Sequence, residues 1–400
     1  MKESKWLRLI TGFVLTTLLL DACSFSVKVF STDTASLQTS TPTDSQTPVA
    51  LTATQTPATP TVDLASPTPT LITITAGTIA WLEIFMSVGE GDVLRSVAFT
   101  PDNTVFASSV GDSLTGNTED FVIRLWDVVS GKSLGTLEGH TGIVWSVAFS
   151  PEGEMLASVS SDGTAKIWDW RNGTLLKSLE FPNQVVTVGF SPDGQSLAVG
   201  GVDEAQNQLR NAAIWTFSVP AWEPFLKFPE YWNIGAMAYT PDGRLLIGGG
   251  TSRNVQVWRT SDGTSIFTLN HAHQVSDVAI SPDGSTAATA TCGFTVGTEC
   301  TEGSVWVWNL ATGRLVTRLS DFPNIVENVA FSADGLSLIA ASRDGTVRVY
   351  AIYGPSDYQS IFEAAPPGGN GVLALSPDGR LLATGGADGE VRLWKIVYRP

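Results

Sequence analysis

Histidine, cysteine and carboxylate residues could do chemistry in this 400-residue chain, and the first two types are scarce. Its three histidines are His140, His271 and His273, and it has three cysteines. The one Gly-x-Ser-x-Gly match, at 131–135, lies where an outer strand is predicted to begin rather than at a strand-to-helix turn, so it does not predict a nucleophile elbow. A Gly-rich phosphate loop with the spacing Gly-x-x-x-x-Gly-Lys-Ser/Thr is missing from the sequence. The sequence therefore disfavours nucleophilic and nucleotide-dependent catalysis, and we expect a protein that is not an enzyme.

Carboxylates are abundant: the chain has 39 Asp and Glu residues but only 23 Lys and Arg residues, so its net charge is −16. A carboxylate pair can catalyse hydrolysis, so a hydrolase or lyase that uses carboxylates stays open as an alternative. The negative charge disfavours nucleic-acid binding, because phosphates would be repelled. No CxxC motif is present and no histidine lies near Cys292 and Cys300, so we expect neither a metal site nor a cofactor.

One phrase recurs seven times and sets the organisation of the chain. Each copy is a short apolar run that ends in a turn of the type Ser/Thr-Pro-Asp-Gly, in which Pro, Asp and Gly each favour a turn conformation. The copies are VAFTPDN (97–103), VAFSPEG (147–153), VGFSPDG (188–194), MAYTPDG (237–243), VAISPDG (278–284), VAFSADG (329–335) and LALSPDG (373–379).

A second phrase, which contains an aromatic residue, follows each copy. Its apolar residues recur at every second position, which is typical of a strand. Its aromatic members are Trp126, Trp168, Trp215, Trp258, Trp308, Tyr350 and Trp394. A strand of small residues lies between the two phrases, and Asp-Gly turns such as 162–163 and 388–389 return the chain antiparallel. Each unit is thus predicted to be a four-stranded antiparallel meander.

These joint patterns resemble the WD40 repeat family, which implies an all-β, seven-bladed β-propeller over residues 77–400. The resemblance also implies a buried hydrogen-bonded network of His, Ser or Thr, Asp and Trp in each blade. Blade 2 carries all four residues, whereas in blade 7 a proline stands where the His would be, and blade 5 has Glu302 at the Asp position. The network residues are His140, Ser158, Asp162 and Trp168 in blade 2, Thr384, Asp388 and Trp394 in blade 7, and His271 and Trp308 in blade 5.

The ends of the propeller are predicted to pair with each other. The chain ends within a few residues of Trp394, so the last blade lacks an outer strand, and the apolar segment TIAWLEIFMSV (78–88) has no other partner. Pairing of these two segments would close the ring and leave only short, protected blade edges.

Recognition of a protein or peptide is the function that a rigid scaffold with variable loops favours. Three hairpins are long and mostly acidic (111–120, 202–211 and 292–302), and all should lie on one face. His271 and His273 fall in a predicted loop, where solvated positions are expected. The candidate partner-binding residues are Arg95, Trp145, Glu327, Tyr231 and Trp232. The alternative is that the carboxylates keep the surface soluble and the aromatic residues pack between blades.

The amino terminus is interpreted as an export signal (residues 1–22) with a basic start and a twelve-residue apolar core, too short to span a bilayer. Leu20-Asp21-Ala22-Cys23 resembles the lipobox of bacterial lipoproteins, which implies lipidation of Cys23, although Asp21 departs from that pattern. An uncleaved anchor or an ordinary signal peptide are the alternatives. Residues 23–76, rich in Ser, Thr and Pro, are predicted to form a disordered stalk.

In an oxidising compartment Cys292 and Cys300 would form a disulfide across a short hairpin, with two buried free thiols as the alternative. Together these features predict a monomeric, non-catalytic scaffold for a protein or peptide, lipid-anchored on the outer side of a bacterial cell membrane. Two alternatives remain: a propeller hydrolase or lyase with carboxylates near the central channel, and a structural spacer in the envelope.

Overall fold

The computed structural model describes residues 79–89, 93–111, 121–202, 212–230, 234–251, 253–296, 299–354, 357–365 and 371–398. The predicted leader (1–22), Cys23, the stalk (23–76), Tyr231 and Trp232 lie outside the described residues and stay predictions. Within the described residues, 28 β-strands form seven four-stranded antiparallel sheets. The prediction of an all-β, seven-bladed propeller is confirmed.

Each sheet is one blade, and its strands follow the chain from the centre of the ring outwards. Blade 1 comprises β2 (Leu94–Phe99), β3 (Val105–Val110), β4 (Ile123–Asp127) and β5 (Ser133–Leu137). Blade 2 comprises β6 (Val144–Phe149), β7 (Met155–Ser160), β8 (Thr164–Asp169) and β9 (Thr174–Glu180). Blade 3 comprises β10 (Val185–Phe190), β11 (Ser196–Val202), β12 (Ala212–Ser218) and β13 (Pro224–Glu230).

The remaining blades repeat this plan. Blade 4 comprises β14 (Ile234–Tyr239), β15 (Leu245–Gly250), β16 (Asn254–Arg259) and β17 (Ser265–Asn270). Blade 5 comprises β18 (Val275–Ile280), β19 (Thr286–Val296), β20 (Glu299–Asn309) and β21 (Arg314–Phe322). Blade 6 comprises β22 (Val326–Phe331), β23 (Ser337–Ser342), β24 (Val347–Gly354) and β25 (Asp357–Ala364).

Blade 7 closes the ring with strands from both ends of the propeller. It comprises β26 (Val372–Leu375), β27 (Leu381–Gly385), β28 (Glu390–Tyr398) and β1 (Ile79–Gly89), with β1 on the outer edge. The strands β1 and β28 are antiparallel, with Val88 opposite Val391 and Leu82 opposite Ile396. The predicted closure by the amino-terminal strand is thus confirmed.

The recurrent turn phrase forms a side-chain clasp between the two innermost strands. In blade 3 the Ser191 hydroxyl donates to Asp193 Oδ1 at 2.6 Å, and the amide of Ser196 donates back to Ser191 Oγ at 2.9 Å. Gly194 completes the turn at φ 68°, a left-handed conformation that glycine adopts without steric cost. The repeat phrase thus sets where the inner strand of each blade ends.

Hydrophobic clusters between neighbouring blades hold the ring together. One cluster joins blade 7 to blade 1 and includes Val391, Leu393, Phe106 and Val110, all fully buried. The inter-blade packing brings the starts of the inner strands together around the central axis. No helix long and apolar enough to span a membrane occurs among the described residues.

Candidate functional site

The four network residues of blade 2 are buried and joined by hydrogen bonds. His140 Nδ1 lies 2.8 Å from Asp162 Oδ2, and His140 Nε2 lies 2.8 Å from Ser158 Oγ. The indole Nε1 of Trp168 donates to the same Ser158 Oγ at 2.9 Å. This network links the loop before the blade to its second and third strands, so His140 is engaged structurally.

Asp162 is held in its ionised form by the same network. Burial would raise the pKa of this carboxyl group, but hydrogen bonds from His140, Thr141 and Thr164 outweigh burial and lower the pKa well below its usual value. The amide of Thr141 donates to Asp162 Oδ2 at 2.9 Å, and the hydroxyl of Thr164 donates to Oδ1 at 2.7 Å. The group is therefore a structural anchor at neutral pH.

Blade 5 keeps a smaller network without a carboxylate. His271 Nε2 lies 2.7 Å from Thr289 Oγ1, to which Trp308 Nε1 donates at 3.2 Å. His271 is buried, and burial lowers its pKa to about 4, so the ring is neutral. The prediction of a solvated His271 is wrong, because its ring packs against two tryptophan rings at 5.0 and 5.1 Å between centroids. Glu302 is exposed.

Blade 7 uses an arginine in the absence of the histidine. Trp394 Nε1 donates to Thr384 Oγ1 at 2.8 Å, as in blade 2. Asp388, however, is paired with the guanidinium of Arg392, which lies two residues before Trp394 on β28. Arg392 is buried, and its Nη1 has no hydrogen-bond partner among the described residues. A cation from the third strand thus replaces the loop histidine.

The inner strands enclose a cavity of about 810 Å³ on the axis of the ring. Its lining comes from all seven blades and includes Arg343, Gly386 and Ala387 from the turns between second and third strands. The long hairpins leave the blades on this same face, which we call the mouth face; the turns between third and fourth strands lie on the opposite face. The volume is in the range of ordinary ligand sites.

A β-bulge aims one residue of each inner strand into this cavity. In blade 1 the pairing skips from Leu94 to Ser96, which leaves Arg95 as the extra residue. The same skip occurs in blades 2 to 6, and all these residues line the cavity. An unpaired bulge residue bends its strand and redirects its side chain. The bulge residues of blades 2 to 6 are Trp145, Val186, Gly235, Ser276 and Glu327.

Arg95 and Trp145 form one wall of the mouth. The Arg95 guanidinium carbon lies 5.0 Å from the centroid of the Trp145 ring, within the range of a cation–π interaction. Arg95 Nε also donates to the carbonyl of Gly111 at 2.9 Å, which ties it to the first long hairpin. The indole Nε1 of Trp145 is buried and has no hydrogen-bond partner among the described residues. Blades 1 and 2 thus present a rigid cationic and aromatic surface.

The opposite wall is acidic. Glu327 Oε1 accepts a 2.6 Å hydrogen bond from Arg343 Nε. Asp277 lies deeper, where its Oδ1 accepts from the amide of Val278 at 2.8 Å and its Oδ2 accepts from the amide of Val329 at 2.9 Å. Burial raises the pKa of Asp277 to about 7, and the negative charge of Glu327 adds to the rise. In the described part of the chain, no cation forms an ion pair with Asp277.

The structure brings together Arg95, Trp145 and Glu327, three of the five candidate binding residues. Asp277, Arg343 and the two glycines of the rim, Gly235 and Gly371, were not among the candidates. The sequence holds a signal for Asp277. At the position just before the repeat phrase, six units have Ser, Thr, Ala, Asn or Val, and Asp277 is the one charge in that column.

Cys292 and Cys300 are joined by a disulfide across the β19–β20 hairpin, with their Cα atoms 5.8 Å apart. Cys292 is buried and Cys300 is half-buried, so the bridge lies at the base of a long hairpin on the mouth face. Among the described residues, no group of three or more His, Cys, Asp and Glu side chains is arranged to hold a metal ion.

A comparison with protein families identifies the same repeat that the sequence and the blades show. The model of the WD domain, G-beta repeat, matches residues 85–127, 131–169, 263–309, 313–351 and 363–395, which together make up half of the chain. The chain belongs to the WD40 repeat family. Five of the seven blades (1, 2, 5, 6 and 7) each fall largely within one matched segment, whereas blade 3 (185–230) has no matched residue. WD40 blade 3 also lacks the His–Ser/Thr–Asp network in sequence.

The WD40 chain is similar to a set of curated fruit-fly proteins. It is 27% identical over 299 residues to a protein of Drosophila virilis named eukaryotic translation initiation factor 3 subunit I, covering 71% of this chain and 91% of the relative. The Drosophila melanogaster protein of the same name is also 27% identical, with 90% of its length covered. The Drosophila willistoni protein is 26% identical.

These relatives contradict the expected function and location. An exported scaffold, lipid-anchored on the outer side of a bacterial cell membrane, is wrong, because the relatives are subunits of a eukaryotic translation initiation factor. That expectation depended on a short basic and apolar segment and one cysteine. The similarity to the relatives extends over 71% of the chain and therefore carries more weight.

Proposed function

We propose that this WD40 propeller is a non-catalytic subunit of a multiprotein assembly and binds a protein partner through its mouth face. The observation that carries the proposal is the axial cavity, which has a rigid Arg95–Trp145 wall facing Glu327. Aromatic and arginine side chains contribute most to the energies of protein interfaces. The names of the relatives support the assembly role, since each relative is called a subunit.

The state of the carboxylates supports a binding role over catalysis. Glu327 is paired with Arg343, and both Asp277 oxygens already accept backbone hydrogen bonds. The two histidines with hydrogen-bonded rings, His140 and His271, are engaged in structural networks away from the cavity. The two histidine rings are therefore not free to act as general bases, whereas each carboxylate oxygen keeps a second lone pair that a donor on a bound partner can use.

Quantitative affinity purification tests the proposal. The tagged full-length chain is purified from its own cells, and the recovery of each copurifying protein is compared between wild type, Trp145→Ala, Arg95→Ala and Arg171→Ala. Arg171 is the matched control, because it also stacks on a tryptophan, Trp170 at 4.4 Å, but lies at a turn on the opposite face. The result expected is at least a fivefold loss of specific partners with Trp145→Ala or Arg95→Ala and none with Arg171→Ala.

Site-specific crosslinking gives a second readout. A photoactivatable residue at position 145 should crosslink to the retained partner, and the same residue at position 171 should not. Equal recovery with all variants, or crosslinks from position 171 alone, would show that the mouth face is not the binding surface. Circular dichroism melts of each variant establish that the propeller is intact.

A further inference from the structure

The rim of the cavity is uneven, because its residues differ in size around the ring. The bulge positions of blades 1, 2, 3, 5 and 6 carry side chains, namely Arg95, Trp145, Val186, Ser276 and Glu327. In blades 4 and 7 the corresponding positions are Gly235 and Gly371. Blades 4 and 7 lie nearly opposite each other in a ring of seven. The rim is therefore lowered at two nearly opposite points.

The space at these two glycines is open. A Cβ atom built on Gly371 would meet no atom within 4 Å, and one built on Gly235 would meet its nearest neighbour, the carbonyl of Val275, at 3.7 Å. Neither residue has a left-handed φ, so their backbone does not require glycine. The two glycines thus mark the ends of a slot that crosses the mouth and that larger side chains would fill.

The two walls of the slot carry opposite charges. Blades 1 to 3 contribute Arg95, Trp145 and Val186, while blades 5 and 6 contribute Ser276 and Glu327 with Asp277 below them. Arg343 balances Glu327, but within the described residues no cation balances Asp277. Asp277 is half-buried in the wall of the cavity, and a carboxylate that is partly withdrawn from water without a cation is costly, so a bound cation would offset that cost.

We propose that the slot between Gly235 and Gly371 holds an extended segment of the partner protein and that a lysine or arginine of this segment pairs with Asp277. This inference rests on the proposed function, since it specifies the partner at the same site. An extended chain has a narrow cross-section and projects alternate side chains to opposite sides. One side chain can therefore point into the cavity while its neighbours face the walls.

Binding of the cation is coupled to a proton. Near pH 7 Asp277 is partly protonated, because burial raises its pKa to about 7, and a cation favours the ionised form. We expect proton release on binding and about a tenfold gain in affinity from pH 6 to pH 8, as the ionised fraction rises. The charged groups near Asp277 are Glu327 and Arg343; the neighbouring strands β14 and β19 contain no charged residue.

Labelled peptide pools test the charge preference. Four pools of acetylated, amidated decapeptides carry Lys, Arg, Gln or Glu at a central position, and uncharged residues at random elsewhere. Fluorescence anisotropy with the full chain should show the Lys and Arg pools binding at least fivefold tighter than the Gln pool, and the Glu pool weakest. His273→Gln is introduced in every protein, so that no histidine of the preceding loop other than the buried His271 is present in the measurement.

Two variants and one control separate the contributions of slot and charge. Asp277→Asn should reduce the preference for Lys over Gln to within twofold and abolish the pH dependence. Gly371→Trp should lower the affinity of every pool at least tenfold by filling the slot. Gly354→Trp is the control. This glycine ends β24 on the opposite face, a Cβ atom built on it would meet its nearest neighbour at 3.9 Å, and its substitution should not change the affinity of any pool.

The inference is overturned if the Gln pool binds as tightly as the Lys pool, if Asp277→Asn keeps the preference, if Gly371→Trp binds normally, or if no pool binds at 1 mM. The affinity purification shows whether only the slot and its cation are wrong or whether the mouth face itself is not a binding surface. Partners that are lost with Trp145→Ala but retained by Asp277→Asn and Gly371→Trp would leave the mouth face as a binding surface and remove only the slot and the cation.

Discussion

The carboxylate of Asp277 in blade 5 accepts a 2.9 Å hydrogen bond from the backbone amide of Val329, which opens the repeat phrase of blade 6. In blades 1 and 2 a neutral hydroxyl has the same role, since Ser96 Oγ accepts from the amide of Val147 at 3.2 Å. The bond between blades therefore does not require a charge. A half-buried charge that folding does not require is typical of a functional position.

Asp277→Asn should stabilise the propeller at pH 8. The raised pKa means that the folded state binds this proton more tightly than the unfolded chain, in which the pKa is about 3.9. The contribution of Asp277 to the free energy of unfolding is thus fully present below pH 4 and is lost as the pH rises through about 7. Asparagine keeps the acceptor for Val329 without ionising but loses the hydrogen bond from the Val278 amide to Oδ1, so we expect a net gain of about 1–2 kcal/mol at pH 8. Little change is expected at pH 4, where the protonated carboxyl group also has a single acceptor oxygen free of hydrogen.

Urea unfolding at both pH values checks this prediction. A variant that is less stable than wild type at pH 8 would show that the Asp277 charge stabilises the ring, and the functional argument for it would then fail.

Asp162→Asn should have the opposite dependence on pH. The network of His140, Thr141 and Thr164 lowers the pKa of Asp162, so its stabilisation is present above the unfolded pKa and is lost as the pH falls below about 4. We expect a loss of about 2–3 kcal/mol at pH 7, because charge-assisted hydrogen bonds inside the protein are removed. The difference between variant and wild type should shrink toward pH 3, as measured by chemical unfolding.

A matched substitution in blade 7 tests whether Arg392 replaces the missing histidine. Asp388→Asn removes the partner of a buried guanidinium and should cost about as much as Asp162→Asn. If Asp388→Asn is neutral, the pair with Arg392 adds nothing to the stability of blade 7.

The fold could be predicted because its signals are local and repeated. The Ser191–Asp193–Gly194 turn depends on residues that are adjacent in sequence, and seven copies of such a turn define seven inner strands. Closure of the ring could be predicted because the segment that forms β1 is apolar and had no other partner. The individual site was harder to predict: Asp277 meets Val329 across 52 positions, and only the ring geometry brings them together.

The other differences between the sequence-based predictions and the structure also have physical causes. His271 is near a turn in sequence, but aromatic packing against Trp306 and Trp308 buries it. Arg392 is at a strand position where blade 2 has Lys166, and only the structure shows that its guanidinium reaches Asp388. The slot depends on the absence of side chains at Gly235 and Gly371, and a sequence gives no reason to place two such glycines on opposite sides of a cavity.

The Cys292–Cys300 bridge should stabilise the long hairpin of blade 5. A disulfide that closes a loop of this length contributes about 2–3 kcal/mol by restricting the unfolded chain. Cys300→Ser is therefore expected to lower the free energy of unfolding by up to that amount, and a reductant should bring the wild type to the same value. Thiol titration of unreduced protein should detect neither Cys292 nor Cys300; a titratable thiol at either position would contradict the bridge.

Removal of β1 should destabilise the whole ring rather than blade 7 alone. This strand pairs with β28 and contributes Val88, Phe85 and Met86 to the cluster that joins blades 7 and 1. Without it, Trp394 and its neighbours lose their cover and β28 becomes an exposed edge. We expect a chain that starts at residue 90 to melt at least about 10 °C below the full chain, since each kcal/mol lost shifts Tm by about 2–4 °C in a large domain.

A chain that starts at residue 77 is the matched control, because it lacks the leader and stalk but keeps β1. Its melting temperature should equal that of the full chain. Two separate transitions in the shorter variant, one for blade 7 and one for the remaining blades, would contradict closure as the source of cooperativity. A single transition at reduced temperature would show that the pairing of β1 with β28 stabilises all seven blades together, because each blade is packed against two neighbours.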